Sequence, residues 1–160
     1  MSHAVSGVLV LDASMTLAWL LERTETNEHR CAIDCLRQVS LSETVVPQLW
    51  HLEVANVLCQ FERRRLLSAS ASDEFLSLLA KLPISTDSET PALRRDEIRL
   101  LARQYALSAY DATYLDIVLR RNATLATFDR RLADACRTAG GRVFGDQESA
   151  IHETIPNFRS

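Results

Sequence analysis

The chain has 160 residues, a formal charge of −3, 47% hydrophobic residues and 24% charged ones. That is the size and balance of one globular domain with its own core, which excludes a disordered chain or a scaffold dependent on disulfides or zinc. No apolar run is long enough to cross a bilayer, and the start (MSHAVSG) lacks the basic residues and apolar stretch of a secretory signal. The expected setting is the cytoplasm, with no membrane partner.

Taken in chain order, residues 7–11 (GVLVL) form a continuous apolar run, which predicts a strand buried on both faces. The run ends at Asp12, and residues 13–21 turn helical. A second helix is predicted over 27–39, with Cys31, Ile33, Leu36 and Val39 on its buried side. Residues 44–46 make a short strand closed by Pro47. From 49 to 66 the apolar residues Leu49, Leu52, Val57, Leu58 and Phe61 fall at helical spacing, and Arg63, Arg64 and Arg65 suit the negative end of the helix dipole.

A helix over 70–82, capped by Ser70 or Ser72, leads to a short strand at 83–86. Another helix follows over 91–105, with Pro91 in its first turn. A helix at 110–121, a buried strand at 124–127, a helix at 130–138 ended by Gly140 and Gly141, and a last strand at 142–144 complete the order. Strands alternating with helices predict an α/β fold with a parallel sheet covered on both faces. The absence of repeats and Gly/Ser-rich linkers predicts one domain, with residues 146–160 as a tail.

Cys31, Cys35, Cys59 and Cys136 include no CxxC pair and have no histidine cluster beside them, so they read as reduced thiols, and no zinc site is expected. Every basic residue except Lys81 is arginine, often paired, as in Arg94-Arg95, Arg120-Arg121 and Arg130-Arg131. Arginine grips phosphate in a bidentate way. Paired arginines also mark solvated helix ends, and charge does not choose between the two readings.

The acidic residues are more telling. Ligands of parallel sheets bind at the carboxyl ends of the strands. Asp12 directly follows the first buried strand, and Asp129 follows LATF. Asp111 starts the helix that leads into that strand, and Glu53 lies early in the helix after TVVP. Each has a structural alternative. Asp111 makes a capping box with Ser108, and Asp12 and Asp129 suit helix N-caps. Glu53, among the apolar Leu49, Trp50, Leu52 and Val54, is less readily dismissed as structural.

Together, carboxylates at one edge repel each other unless a cation intervenes. Hard oxygen donors of this kind select Mg²⁺ or Mn²⁺, and one or two such ions activate water for attack on a phosphodiester. The hydroxyls of Ser14 and Thr127 are expected to orient the carboxylates or a bound water.

The blocks VLVLDAS (Asp12, Ser14), VPQLWHLEVANVL (Glu53, Asn56), LSAYDATYLDIVLRRNATLATFDRRLADAC (Asp111, Thr127, Asp129) and the closing GGRVF agree in order and spacing with one family. Over residues 7–145 the chain resembles PIN-domain nucleases, in particular the VapC-type toxins of bacterial type II toxin–antitoxin pairs. The resemblance implies a three-layer α/β/α domain with a mostly parallel sheet and metal-dependent endoribonuclease activity. It also implies a homodimer inhibited by a cognate antitoxin protein.

By motif match, Asp12, Glu53, Asp111 and Asp129 take the catalytic, metal-binding roles, supported by Ser14, Thr127 and Asn56. Arg130 and Arg131 are expected on the RNA backbone. Asp116 departs from the family, whose members carry a small or apolar residue there, and is a lower-ranked fifth acid; Asp134 is expected on the solvated face. Trp19 and Trp50 serve either the core or a docking surface, with the core preferred.

Two alternatives compete. A phosphatase of the haloacid-dehalogenase type needs an aspartate where Ser14 stands and a late lysine, and none follows Lys81. A receiver domain fails in the same way. The non-enzyme alternative is a catalytically inert PIN-like interaction module, which lost carboxylates would mark; all four are present.

Overall fold

The computed structural model describes residues 7–21 and 27–146, so the expectation for the tail lies, beyond Asp146, outside the described residues. The elements are β1 (Val8–Leu11), α1 (Ala13–Ala18), α2 (Asn27–Val39), β2 (Glu43–Val46), α3 (Gln48–Arg63), α4 (Ala69–Leu79), β3 (Ile84–Thr86), α5 (Pro91–Tyr105), α6 (Ala109–Arg121), β4 (Thr124–Ala126), α7 (Arg130–Thr138) and β5 (Arg142–Val143). The strands form one sheet in the order β3-β2-β1-β4-β5, and every neighbouring pair is parallel.

β1 is central, which is why its sequence is apolar throughout: Leu9, Val10 and Leu11 are all buried. The right-handed crossover rule places α1 to α4 on one face of the sheet and α5 to α7 on the other. The packing agrees, with α1 against α2 and α3, and α6 against α5 and α7. Both layers meet the sheet through Met15, Trp50, Val54 and Leu58 on one side and Leu115, Val118 and Leu132 on the other. No helix among the described residues is long and apolar enough to cross a membrane.

Three local expectations are corrected. The cap of α4 is Ser68, whose Oγ accepts the Ala71 N–H at 3.1 Å, while Ser72 is buried on the inner face. Serines at 68, 70 and 72 offer the same capping chemistry, so composition alone did not choose among them. α2 turns Ala32, Cys35 and Val39 inward, and Cys31, Ile33 and Leu36 flank them half-buried. The small residues take the closest approach to α1, where the Trp19 indole N–H reaches the Ala32 carbonyl at 2.8 Å. α3 buries Trp50, Val54 and Leu58, one full stripe at four-residue spacing, leaving Leu52 exposed.

Both tryptophans therefore serve packing. α7 ends as the glycine pair requires: Gly140 has φ +83°, and the N–H groups of Gly140 and Gly141 bond the carbonyls of Arg137 and Cys136 in a Schellman motif. The cysteines are free; Cys35 and Cys136 are buried, Cys31 is half-buried and Cys59 exposed. Burial pushes the Cys136 thiol up to about 11, so it is inert at neutral pH.

Candidate active site

From β1 the chain order runs outward in both directions, through β2 and β3 on one side and β4 and β5 on the other. The carboxyl ends of β1 and β4 therefore bound the crevice where a doubly wound sheet takes its ligand. Asp12 leaves β1 at that crevice, its N–H bonded to the Ala126 carbonyl of β4 at 3.0 Å.

Asp12 is only 7% exposed and tightly held. Its Oδ2 accepts hydrogen bonds from Ser14 Oγ and Thr127 Oγ1, each at 2.6 Å. Those hydroxyls are themselves aimed by backbone N–H groups, Phe128 onto Ser14 and Asp129 onto Thr127, both at 2.9 Å. Ser14 and Thr127 thus both bond the carboxylate of Asp12. Below them Thr16 Oγ1 donates to the Asp12 carbonyl at 3.1 Å and accepts the Trp50 indole N–H at 3.1 Å. Burial raises the Asp12 carboxyl above its ordinary range, the hydroxyl bonds oppose this, and the charge of Asp111 adds to it.

Glu53 comes from α3 and is half-buried. Its Oε2 accepts a hydrogen bond from the hydroxyl of Tyr114 on α6. Burial raises its carboxyl too, and the charges of Asp12 and Asp111 push the same way. Asp111 lies in the first turn of α6, where its N–H is capped by Ser108 Oγ at 3.0 Å. Asp12, Glu53 and Asp111 are thus close enough to repel one another.

Asp129 is placed differently. Its Oδ1 caps α7 by accepting the Leu132 N–H at 2.9 Å, which is the structural role its position allowed. It borders a groove of about 830 Å³ together with Thr127, Phe128, Arg130 and Arg137. Asn56 is exposed one turn along α3 from Glu53, and among the described residues no hydrogen bond ties it to the acids.

Asp116 does not join the cluster. It is 3% exposed and faces arginines instead: Arg94 grips both of its oxygens, at 2.7 and 3.2 Å, and Arg120 Nε bonds Oδ2 at 3.0 Å. Five residues after Asp111, it points to a different side of α6, as helical geometry dictates. Asp134 is exposed and pairs with Arg137 at 2.8 Å, as expected. Arg130 is exposed on the groove, whereas Arg131 donates to the Ala106 carbonyl at 3.0 Å.

Tyr114 is the residue that sequence reasoning missed. It is fully buried and three residues after Asp111, so both lie on one side of α6. The available signal was a tyrosine in a buried stripe, because a buried phenol needs a partner.

Among the described residues no three acid, histidine or cysteine side chains close on one point as they lie, and Glu53 and Asp129 each have one oxygen engaged in a hydrogen bond. The donor set nonetheless fits a hard divalent cation. It consists of carboxylate oxygens, the charge of Asp111 adds to the raising of Asp12 and the charges of Asp12 and Asp111 to that of Glu53, and a cation offsets that repulsion.

These features define the class: a doubly wound α/β domain with an acidic crevice at its switch point. The PIN domain family profile matches residues 9–138, and the chain belongs to that family. PIN domains are generally nucleases, and those nucleases typically use divalent metal ions. No curated protein sequence matches the chain.

Among solved structures, PAE2754 from Pyrobaculum aerophilum is similar at 20% identity and a TM-score of 0.63, covering 94% of this chain and 100% of its own. FitAcB from Neisseria gonorrhoeae is similar at 16% identity and a TM-score of 0.58, covering 86% of this chain and 96% of its own. Both likenesses concern the fold.

Proposed function

We propose that the chain is a Mg²⁺- or Mn²⁺-dependent endoribonuclease of the cytoplasm, acting as a toxin that a cognate antitoxin restrains. The observation that carries this reading is Asp12, buried with its carboxyl raised, facing Asp111 and Glu53 at the switch point of a PIN fold. A buried acid among like charges costs stability unless it serves a charged ligand. The RNA substrate, the antitoxin and a homodimeric state follow from the sequence blocks that resemble VapC-type toxins.

In this reading Asp12, Glu53 and Asp111 hold one or two ions, with Asp129 completing the set through its oxygen not used in capping α7. A bound divalent cation supplies Lewis acidity, lowering the pKa of water and neutralising charge on the scissile phosphate. Ser14 and Thr127 keep Asp12 in one orientation, so no side-chain search precedes binding. Arg130, free of the carbonyl contact that ties Arg131, steadies the phosphate backbone.

The test of substrate class compares matched single-stranded RNA and DNA pools with Mn²⁺. RNA fragments bearing 5′-phosphates and 3′-hydroxyls, with DNA left whole, are the expected products. Cutting of DNA alone would overturn the ribonuclease assignment.

A further inference from the structure

The acids of the crevice are not equally secured. Asp12 is fixed by two hydroxyl donors that backbone N–H groups aim in turn. Glu53, a longer side chain on a different helix, makes one hydrogen bond among the described residues, to the hydroxyl of Tyr114. The donor is rigid: the ring of Tyr114 is fully buried, and α6 packs directly on β1 and β4. The charge of Asp12 lies near the same hydroxyl. The phenol, carried by a helix of one layer, therefore meets an acid of the opposite layer, Glu53 of α3, beside Asp12 at the end of β1. Packing alone would be served by phenylalanine, so the hydroxyl calls for a separate explanation.

Resting on the nuclease reading above, we infer that Tyr114 is a positioning residue that holds Glu53 toward Asp12 and so sets the affinity of the site for its divalent ion. The side chain of Glu53 has several rotatable bonds and is half-exposed, so without the phenol its carboxylate swings out of the crevice. Partners of this kind, one step removed from the ion, change metal affinity by about 10–100-fold when lost.

Mn²⁺ binding by the full metal-free chain, measured calorimetrically without RNA, tests this. Tyr114→Phe is expected to weaken Mn²⁺ binding by about tenfold. In a Glu53→Ala background the same substitution should change nothing further, because the tyrosine acts through the glutamate. Glu53→Asp keeps the charge but withdraws it from the phenol, and is expected to weaken binding comparably. It tests the idea independently should Tyr114→Phe fold poorly.

Undiminished affinity in Tyr114→Phe or Glu53→Asp overturns the inference, as does an equal loss with Glu53 already removed. In either case a wild-type chain that binds Mn²⁺ leaves the nuclease reading standing. A wild-type chain that binds no Mn²⁺ overturns both.

Discussion

In the proposed reading, Asp12 concentrates the chemistry of the domain in one side chain. It follows a strand whose apolar sequence forces burial, and it keeps its carboxylate in place with donors from its own helix and from the end of β4. Because the folded state raises the Asp12 and Glu53 carboxyls, it holds their protons more tightly than the unfolded chain does. Their contribution to stability is full below the ordinary carboxylate range and is lost as pH rises through the raised values. Asp12→Asn is therefore expected to unfold at higher urea than the metal-free wild type, by a margin that widens from acid to neutral pH. A margin that stays flat across that range would contradict the burial of a charge at this position.

The position of Asp12 and Asp129 after apolar strands was legible, and so was the capping chemistry of Asp111 and Asp129. The engagement of Glu53 by Tyr114 was not, because it joins residues 61 apart in sequence on two different helices. No local pattern carries such a contact.

At the scale of elements, the feature that stands out is the ion-pair network joining α5, α6 and the end of β3. Arg94 and Arg120 share Asp116, and Arg120 also bonds Asp87 at 2.6 Å. Asp87 and Asp116 are both buried. Removing one partner of such a network strands buried charge, so Asp116→Ala is expected to cost about 3–5 kcal/mol in denaturant unfolding. A cost of a few tenths would mean that the network is solvated and dispensable.

Asp116 also shows why a candidate list drawn from acids alone is too generous. Its neighbours Arg94 and Arg120 decide its role, and only one of them is near it in sequence. The elements themselves were legible from apolar spacing. Their fine placement, as at Ser68 or the inward face of α2, depended on packing that composition does not encode.

For the whole molecule, the alternation of strands and helices predicted a parallel sheet, and five parallel strands are found. The strand order was not readable, because runs of similar apolar residues carry no label for their neighbours. That order is what sets β1 beside β4 and makes the crevice.

Overall charge gave little guidance, since several arginines, among them Arg94, Arg120, Arg131 and Arg137, are spent on ion pairs and carbonyls within the fold. Arg130 is an exposed cation at the groove. Arg130→Ala is expected to weaken RNA binding and to flatten the salt dependence by about 0.7 in log–log slope, the value for one single-strand phosphate contact. An unchanged slope would remove Arg130 from the RNA path.

The central claim is that the acidic crevice cuts RNA with a divalent ion. Its most direct test is incubation of a mixed RNA pool with the purified, antitoxin-free chain, in Mn²⁺ or Mg²⁺ and in EDTA, with folded Asp12→Asn alongside. The account predicts cleavage that requires the metal and disappears in the variant. Cleavage that survives EDTA, or that Asp12→Asn retains in full, would contradict it.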